Sequence, residues 1–313
     1  MPKKKFVTIG HITDDLEPKP HLGGSAAYIA VAAKRLGHES HIITKAPGNH
    51  SYIESLKKMG ITAHLLPTKS NMLTSFKNFY TDQGKRTQIV TSKQEEITVG
   101  DIKNIPGGVL ENSIIVASPV INEVSLKLLP LLSQYGFLAV TAQGYLRQTD
   151  NSGKIHFKPL ESSEVFKSAK IIFFSEEDIS NAGTEDVNLL ESIKNSCQLT
   201  VHTEGSNGAT VFKKKNPIHT DAFPLRSSET VDLTGAGDCL AAAFLSKWFV
   251  GASDIKNVTT FAHLYAANKI MSIQGIGINS IPSLEQFGSF IKDYETRVLE
   301  YLKKEGVGLT EIL

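Results

Sequence analysis

Thr230-Val231-Asp232-Leu233-Thr234-Gly235-Ala236-Gly237-Asp238 runs without a break into the apolar stretch Cys239-Leu240-Ala241-Ala242-Ala243-Phe244-Leu245. Two glycines spaced by one small residue, where an apolar helix begins, let the backbone come close to a ligand and aim unpaired N–H groups at it. The helix macrodipole adds partial positive charge at the same corner, so phosphate is the first ligand to consider. Asp238 lies inside this turn, where a carboxylate would repel phosphate unless it had a task of its own. General base is that task. With a substrate hydroxyl beside Asp238, and the amides of Gly235, Ala236 and Gly237 on a migrating phosphoryl group, one turn supplies both halves of a phosphoryl-transfer site. A bare Gly-x-Gly is shared with dinucleotide-binding turns and ordinary helix starts, so the reading rests on the longer string.

Outward from that turn, strand and helix signals alternate along the chain. Phe6–Ile9, His41–Thr44, Ile61–Leu66, Ile114–Ser118, Phe137–Thr141, Lys170–Phe174 and Leu199–Thr203 read as buried strands. Helical spacing runs from Ser25 to Leu36, Ser51 to Met59 and Glu123 to Tyr135, with Gly37 and Gly60 as stops. This is the βαβ rhythm of an α/β fold. Phe261–Gly275 predicts a late helix, and Ser283–Lys304 predicts one C-terminal surface helix with Ser283 as its N-cap. Thr74–Thr81 and Arg86–Thr91 are β-rich runs around Asp82-Gln83-Gly84-Lys85, which predicts a hairpin projecting from the sheet. No repeat, linker or low-complexity segment interrupts the series, so residues 1–313 are expected to form one domain.

Composition narrows the partners. Lys+Arg of 33 against Asp+Glu of 32 gives a net charge of +1, with no global attraction to nucleic acid or an acidic membrane. Cys197 and Cys239 are the only cysteines, which suits a reducing compartment rather than a disulfide scaffold. The apolar run after Lys3-Lys4-Lys5 stops at Gly10, unlike a signal peptide. Leu240–Val250 is broken by Ser246 and Lys247 and is well short of the roughly 20 residues a membrane span needs. A soluble cytoplasmic protein is expected, with a small molecule as partner.

Asp232-Leu233-Thr234-Gly235-Ala236-Gly237-Asp238 resembles the C-terminal signature of the ribokinase-like (PfkB-type) carbohydrate kinase family, and with two further motifs the resemblance spans nearly the whole chain. It implies a ribokinase-like three-layer α/β/α sandwich, a mostly parallel central sheet and a small β-lid near residues 70–100. It also implies ATP as donor, Mg²⁺ as cofactor and a small sugar, polyol or nucleoside as acceptor. Gly23 and Gly24 would lie against the acceptor, and Asp15, five residues after Gly10, would bond its hydroxyls; the glycines would serve equally as a tight turn into a small-residue helix. Thr203-Glu204-Gly205-Ser206-Asn207-Gly208 resembles the family's Thr-Leu-Gly-x-x-Gly nucleotide turn with Glu204 in the apolar place. That would put Thr203, Gly205 and Gly208 along the ATP, joined by Asn268, although a plain hairpin turn suits the same residues. Where the family has Asn-x-x-Glu, this chain has Ser175 and Asp178. The shortened acid implies Mg²⁺ held indirectly, through water, although an acidic helix start would look the same. Arg147, beyond Phe137–Thr141, suits contact with substrate or phosphate, or a surface position. The Gly10-His11 opening and the Gln143–Arg147 loop lean to the inositol and nucleoside kinase branches.

Two rivals from other classes are weighed. A nicotinamide-dependent oxidoreductase needs its glycine-rich turn after the first strand, with an acid about 20 residues on, where this chain has Asp15 and a plain Gly-Gly. A catalytically silent nucleotide or sugar sensor fits the Ser175 and Asp178 departure but not the presence of Asp238. In ribokinase a longer segment between the substrate Asp and the di-glycine forms extra lid strands that interlock as a dimer clasp. Here Leu16–Leu22 carries Pro18 and Pro20, so the lid is expected to rest on the Thr74–Thr91 hairpin alone. A monomer, or a homodimer through another surface, follows.

Overall fold

The computed structural model describes residues 3–17, 19–80, 86–158, 163–180, 191, 197–213, 216–251, 254–273 and 275–312. Its strands are β1 Lys5–Ile9, β2 Thr13–Asp15, β3 His21–Gly23, β4 Glu39–Lys45, β5 Thr62–Leu66, β6 Thr74–Tyr80, β7 Arg86–Ser92, β8 Ile114–Ala117, β9 Phe137–Thr141, β10 Arg147–Thr149, β11 Ile155–Phe157, β12 Ile171–Ser175, β13 Leu199–Thr203, β14 Ala209–Lys213 and β15 Asn216–Thr220. Nine of them form one sheet in the order β15-β14-β13-β12-β9-β8-β1-β4-β5. Pairing is parallel from β13 to β5, and β14 and β15 add an antiparallel edge. From β1 the chain builds outward on one side through β4 and β5, then crosses back to β8 and onward. The switch therefore lies between β1 and β8, where open α/β sheets leave a crevice beyond the strand ends.

Successive side chains point to opposite faces of a strand, so continuous apolar runs fill two layers at once. Phe6, Ile42, Val116, Ala139 and Phe173 pack under the helices Ser25–Arg35, Ala236–Phe249 and Ile255–Met271. Val7, Ile43, Ile115, Val140 and Ile172 pack on the other face, against the helix Leu128–Tyr135. The three-layer α/β/α sandwich is borne out. No helix among the described residues is long and apolar enough to cross a membrane.

The small sheet differs from expectation. β2 and β3 pair antiparallel, Thr13 with Gly23 and Asp15 with His21, and β2 joins β6 in parallel, giving a four-stranded sheet in the order β3-β2-β6-β7. Pro20 does not prevent this, because the β2–β3 pairs are Thr13–Gly23, Asp14–Leu22 and Asp15–His21, which leave it in the connection between them. The sheet thus reaches beyond residues 70–100 to include 13–23, and the Thr74–Thr91 hairpin does not stand alone. Pro18 and the turn expected at Asp82-Gln83-Gly84-Lys85 lie outside the described residues. Both edge strands of the small sheet have neighbours within the chain. The hairpin β10–β11 lies along β7, where the Val90 amide donates to the Gly153 carbonyl at 2.8 Å. On the other side, β3 packs against the turn Gly277–Ser280.

Three helix boundaries also differ. The helix expected from Glu123 starts at Leu128, because the fully buried Glu123 carboxylate accepts instead from the backbone amides of His11, Val120 and Ile121 at 2.8–3.0 Å. The late helix begins at Ile255, capped by Asp254, and ends at Met271, short of Gly275; Gln274 lies outside the described residues. The C-terminal helix is two helices, Leu284–Asp293 and Glu295–Glu305, broken where Tyr294 leaves helical geometry at φ −113°, ψ 25°. Ser283 caps the first with the reciprocal Gln286 bond of a capping box.

Candidate active site

Two helix N-termini converge beyond the strand ends. Helix Ala236–Phe249 starts at Gly235, whose φ of 75° is left-handed. A Cβ there would also stand 2.2 Å from Cδ1 of Tyr28, so both the backbone and the ring require glycine. Tyr28 belongs to the helix Ser25–Arg35, preceded by Gly24 as N-cap, and its buried hydroxyl has no hydrogen-bond partner among the described residues. Across this junction the Ser25 hydroxyl donates to Oδ1 of Asp238 at 2.5 Å. The segment sets Gly235, Ala236, Gly237 and Asp238 side by side in the first turn, as expected, with Gly237 exposed and Asp238 half-buried.

Burial of the Asp238 carboxyl raises its pKa to about 6. The Ser25 bond and the charges of Arg147 and Lys269 pull it down, while Asp178 pushes it up. A group so placed is mostly ionised at neutral pH and binds a proton just below it, as a general base requires. Cys239, next in the chain, is buried, and loss of solvent pushes its thiol up to about 12, so it packs rather than reacts.

At the β2–β3 end of the site, Asp15 is buried and its Oδ1 accepts from the Thr13 hydroxyl at 2.9 Å. Gly23 faces it across the β2–β3 pair, where a Cβ would stand 2.3 Å from Oδ2 of Asp15. Gly23 is thus spatially fitted to that carboxylate, while Gly24 lies against the His11 carbonyl and Thr13. Arg147 opens β10, close enough for its charge to act on Asp238. His11 does not open into this space: it is fully buried, with Nδ1 2.8 Å from the Thr74 hydroxyl and Nε2 3.0 Å from the Glu95 carbonyl oxygen. It ties the loop after β1 to the base of the small sheet.

The other side is built from the ends of β12 and β13. Oδ2 of Asp178 accepts from the Ser175 amide at 3.0 Å and from its hydroxyl at 2.8 Å, and the Asp178 amide returns to the hydroxyl at 3.3 Å. The pair is therefore a reciprocal cap on the helix Glu176–Ser180, which explains Ser for Asn and Asp for Glu as a matched replacement. Thr203 ends β13 with its hydroxyl on the Phe174 carbonyl at 3.4 Å. The turn Gly205–Asn207 joins antiparallel β13 and β14, so it is a hairpin turn; Gly208 passes close against the backbone of 220–222, while Gly205 faces open space. Glu204 is turned aside, 3.0 Å from the Thr210 hydroxyl and 3.5 and 3.4 Å from His202 and His219. Oδ1 of Asn268 is buried without a hydrogen-bond partner among the described residues, as a ligand-seeking group would be.

Beside Asn268, and not anticipated from the sequence, Lys269 is fully buried and donates to the Asp232 carbonyl and to Oδ2, both at 2.9 Å. Asp232 also accepts from the amides of Thr234 and Gly277, at 2.9 and 3.0 Å. Burial opposes its ionisation, but the Lys269 charge and these bonds outweigh it and hold the carboxyl below the usual range. This pair braces the turn from beneath. A cation in the otherwise uncharged stretch Asn257–Met271 was its signal in the sequence.

Comparison with known proteins comes from a family model and from solved structures. Residues 15–281 match the model described as pfkB family carbohydrate kinase. The chain is similar in fold to a pyrophosphate-dependent kinase in the ribokinase family, in a sulfate complex, at TM-score 0.74 and 22% identity, covering 91% of this chain and 100% of that one. Ribokinase from Thermotoga maritima aligns at TM-score 0.67 and 16% identity, covering 92% and 99%. The nucleoside kinase of Methanocaldococcus jannaschii aligns at 0.66 and 16%, covering 93% and 99%. No curated protein matches.

Proposed function

The chain belongs to the PfkB carbohydrate kinase family, and from that premise we propose that it transfers the γ-phosphoryl group of ATP to a hydroxyl of a small sugar, polyol or nucleoside. The observation that carries this is Asp238: a half-buried carboxylate with pKa near 6, in the first turn of a helix whose left-handed Gly235 start offers backbone amides to an anion. The acceptor oxygen forms a bond to the γ-phosphorus as the bond to the leaving ADP oxygen breaks, and the hydroxyl proton passes to Asp238. The amides of Gly235, Ala236 and Gly237 stabilise the charge on the phosphoryl oxygens. Asp15 and Gly23-Gly24 hold the acceptor, with Arg147 supplying positive charge nearby. Thr203, Gly205 and Gly208 serve the nucleotide together with the Asn268 carbonyl, which has no partner among the described residues, and on this reading the donor is ATP rather than the pyrophosphate named for the solved relative.

Mg²⁺ fits the chemistry of the donor side, where Asp178 spends its cap bonds on Oδ2 and would hold the ion through water with Oδ1. The ion's contribution is to neutralise the nucleotide phosphates. The four-stranded sheet serves as lid over the acceptor. With the β10–β11 hairpin bonded to β7 at Val90 and the Gly277–Ser280 turn against β3, part of the lid's edge is occupied, which favours a monomer or a homodimer through another surface. The test is ADP release with Mg-ATP and a panel of ribose, fructose, inositols and nucleosides. Acceptor-dependent release supports the reading. Binding of ATP and an acceptor without turnover would turn it to the sensor.

A further inference from the structure

Ser25 opens its helix, yet its hydroxyl does not cap that helix: Gly24 is the N-cap, and no side chain closes the end. The hydroxyl instead reaches a residue 213 positions away, donating to Oδ1 of Asp238 at 2.5 Å, with the Thr141 hydroxyl 3.4 Å behind it at the end of β9. Ser25 and Thr141 are both buried. A carboxylate only accepts, so the direction of the Ser25 bond is fixed. Packing alone would be met by alanine, as at the next two positions, Ala26 and Ala27. A polar side chain buried here has a partner that is itself the candidate base.

We propose that Ser25 is the positioning residue for the proton acceptor: its hydroxyl pins Oδ1 of Asp238 and leaves Oδ2 to receive the proton of the acceptor hydroxyl. This rests on the reading of Asp238 as general base. The bond also favours the ionised carboxylate, opposing the burial that would otherwise keep it protonated. The charged and titratable groups facing Asp238 are Arg147 from β10, Asp178 beyond β12, Lys269 from the helix Ile255–Met271, Tyr28 from the helix of Ser25, and its own neighbour Cys239. Arg147 and Lys269 act on Asp238 through their charge, whereas Ser25 bonds one defined oxygen, Oδ1.

The test separates this role from the base itself. The carboxyl carbon of Asp238 is followed by NMR in aspartate-labelled full-length protein, identified by its loss in Asp238→Asn, and titrated in wild type, Ser25→Ala, Ser25→Cys and Ser25→Thr. Losing a charge-assisted donor should raise the titration midpoint by about one pH unit in Ser25→Ala. The weak thiol donor of Ser25→Cys should give an intermediate midpoint, and Ser25→Thr should restore the wild-type value. An unchanged midpoint in Ser25→Ala, or in Ser25→Cys should the alanine variant not fold, overturns the proposal whatever the activity. The acid limb of turnover, measured with whichever of ribose, myo-inositol or adenosine is phosphorylated, should rise in step with the midpoint. If the midpoint rises while the limb stays, Asp238 is not the base and the underlying reading fails instead.

Discussion

Replacing Asp238 by asparagine should stabilise the protein at neutral pH while removing its activity. The carboxyl has a pKa near 6 in the fold against 3.8 when unfolded, so ionising it within the fold is unfavourable by about 2 pH units. At about 1.4 kcal/mol per unit this sets a ceiling of ~3 kcal/mol. Asp238 retains some contact with water, which screens the effect, so a gain of roughly 1–2 kcal/mol is the working figure. The sign follows from linkage. Stability associated with this group is fully present below pH 3.8, falls as pH rises through 6, and is gone above it. Asparagine keeps the shape and can still accept from Ser25, but it never ionises. Urea unfolding of both proteins at pH 7.5 and pH 4.5 measures the difference: the variant should lead clearly at pH 7.5 and only slightly at pH 4.5. An asparagine variant equal to or weaker than wild type at pH 7.5 would refute the reasoning, because the raised pKa would then not reflect an unfavourable buried charge.

Asp178→Ala should raise the Mg²⁺ concentration for half-maximal rate roughly tenfold, as loss of an outer-sphere support does; unchanged metal dependence would reduce Ser175 and Asp178 to a helix cap. Gly235→Ala should cost about 2–5 kcal/mol in thermal unfolding, since it adds left-handed strain to a Cβ that meets the Tyr28 ring. Lys269→Met should cost about 3 kcal/mol at neutral pH by leaving Asp232 uncompensated, and the loss should shrink in acid as that carboxyl protonates.

Much of the architecture was legible because parallel strands buried on both faces are written as apolar runs, of which Ile114–Ala117 and Phe137–Thr141 are the plainest. The small sheet was less so. β2 and β3 contribute three residues each, too few for a period, and the prolines between them drew attention from the residues that actually pair. The break at Tyr294 has neither proline nor glycine to announce it, and Glu123 reads as a helix residue although it serves as an anchor for loop amides. At the site, the local turns were readable from spacing, whereas Ser25 with Asp238 and Lys269 with Asp232 join distant positions that only folding brings together.

Phosphoryl transfer by this chain, with Asp238 as the base, has a direct test. Single-turnover transfer of radiolabelled γ-phosphate from Mg-ATP, to whichever acceptor of the ribose, fructose, inositol and nucleoside panel gives product, tests it in wild type and Asp238→Asn. Labelled product should form in wild type and slow by roughly 10²- to 10⁴-fold in the variant, with ATP binding unchanged. Transfer at the wild-type rate in Asp238→Asn, or no labelled product from any acceptor in wild type that binds ATP, would contradict the account.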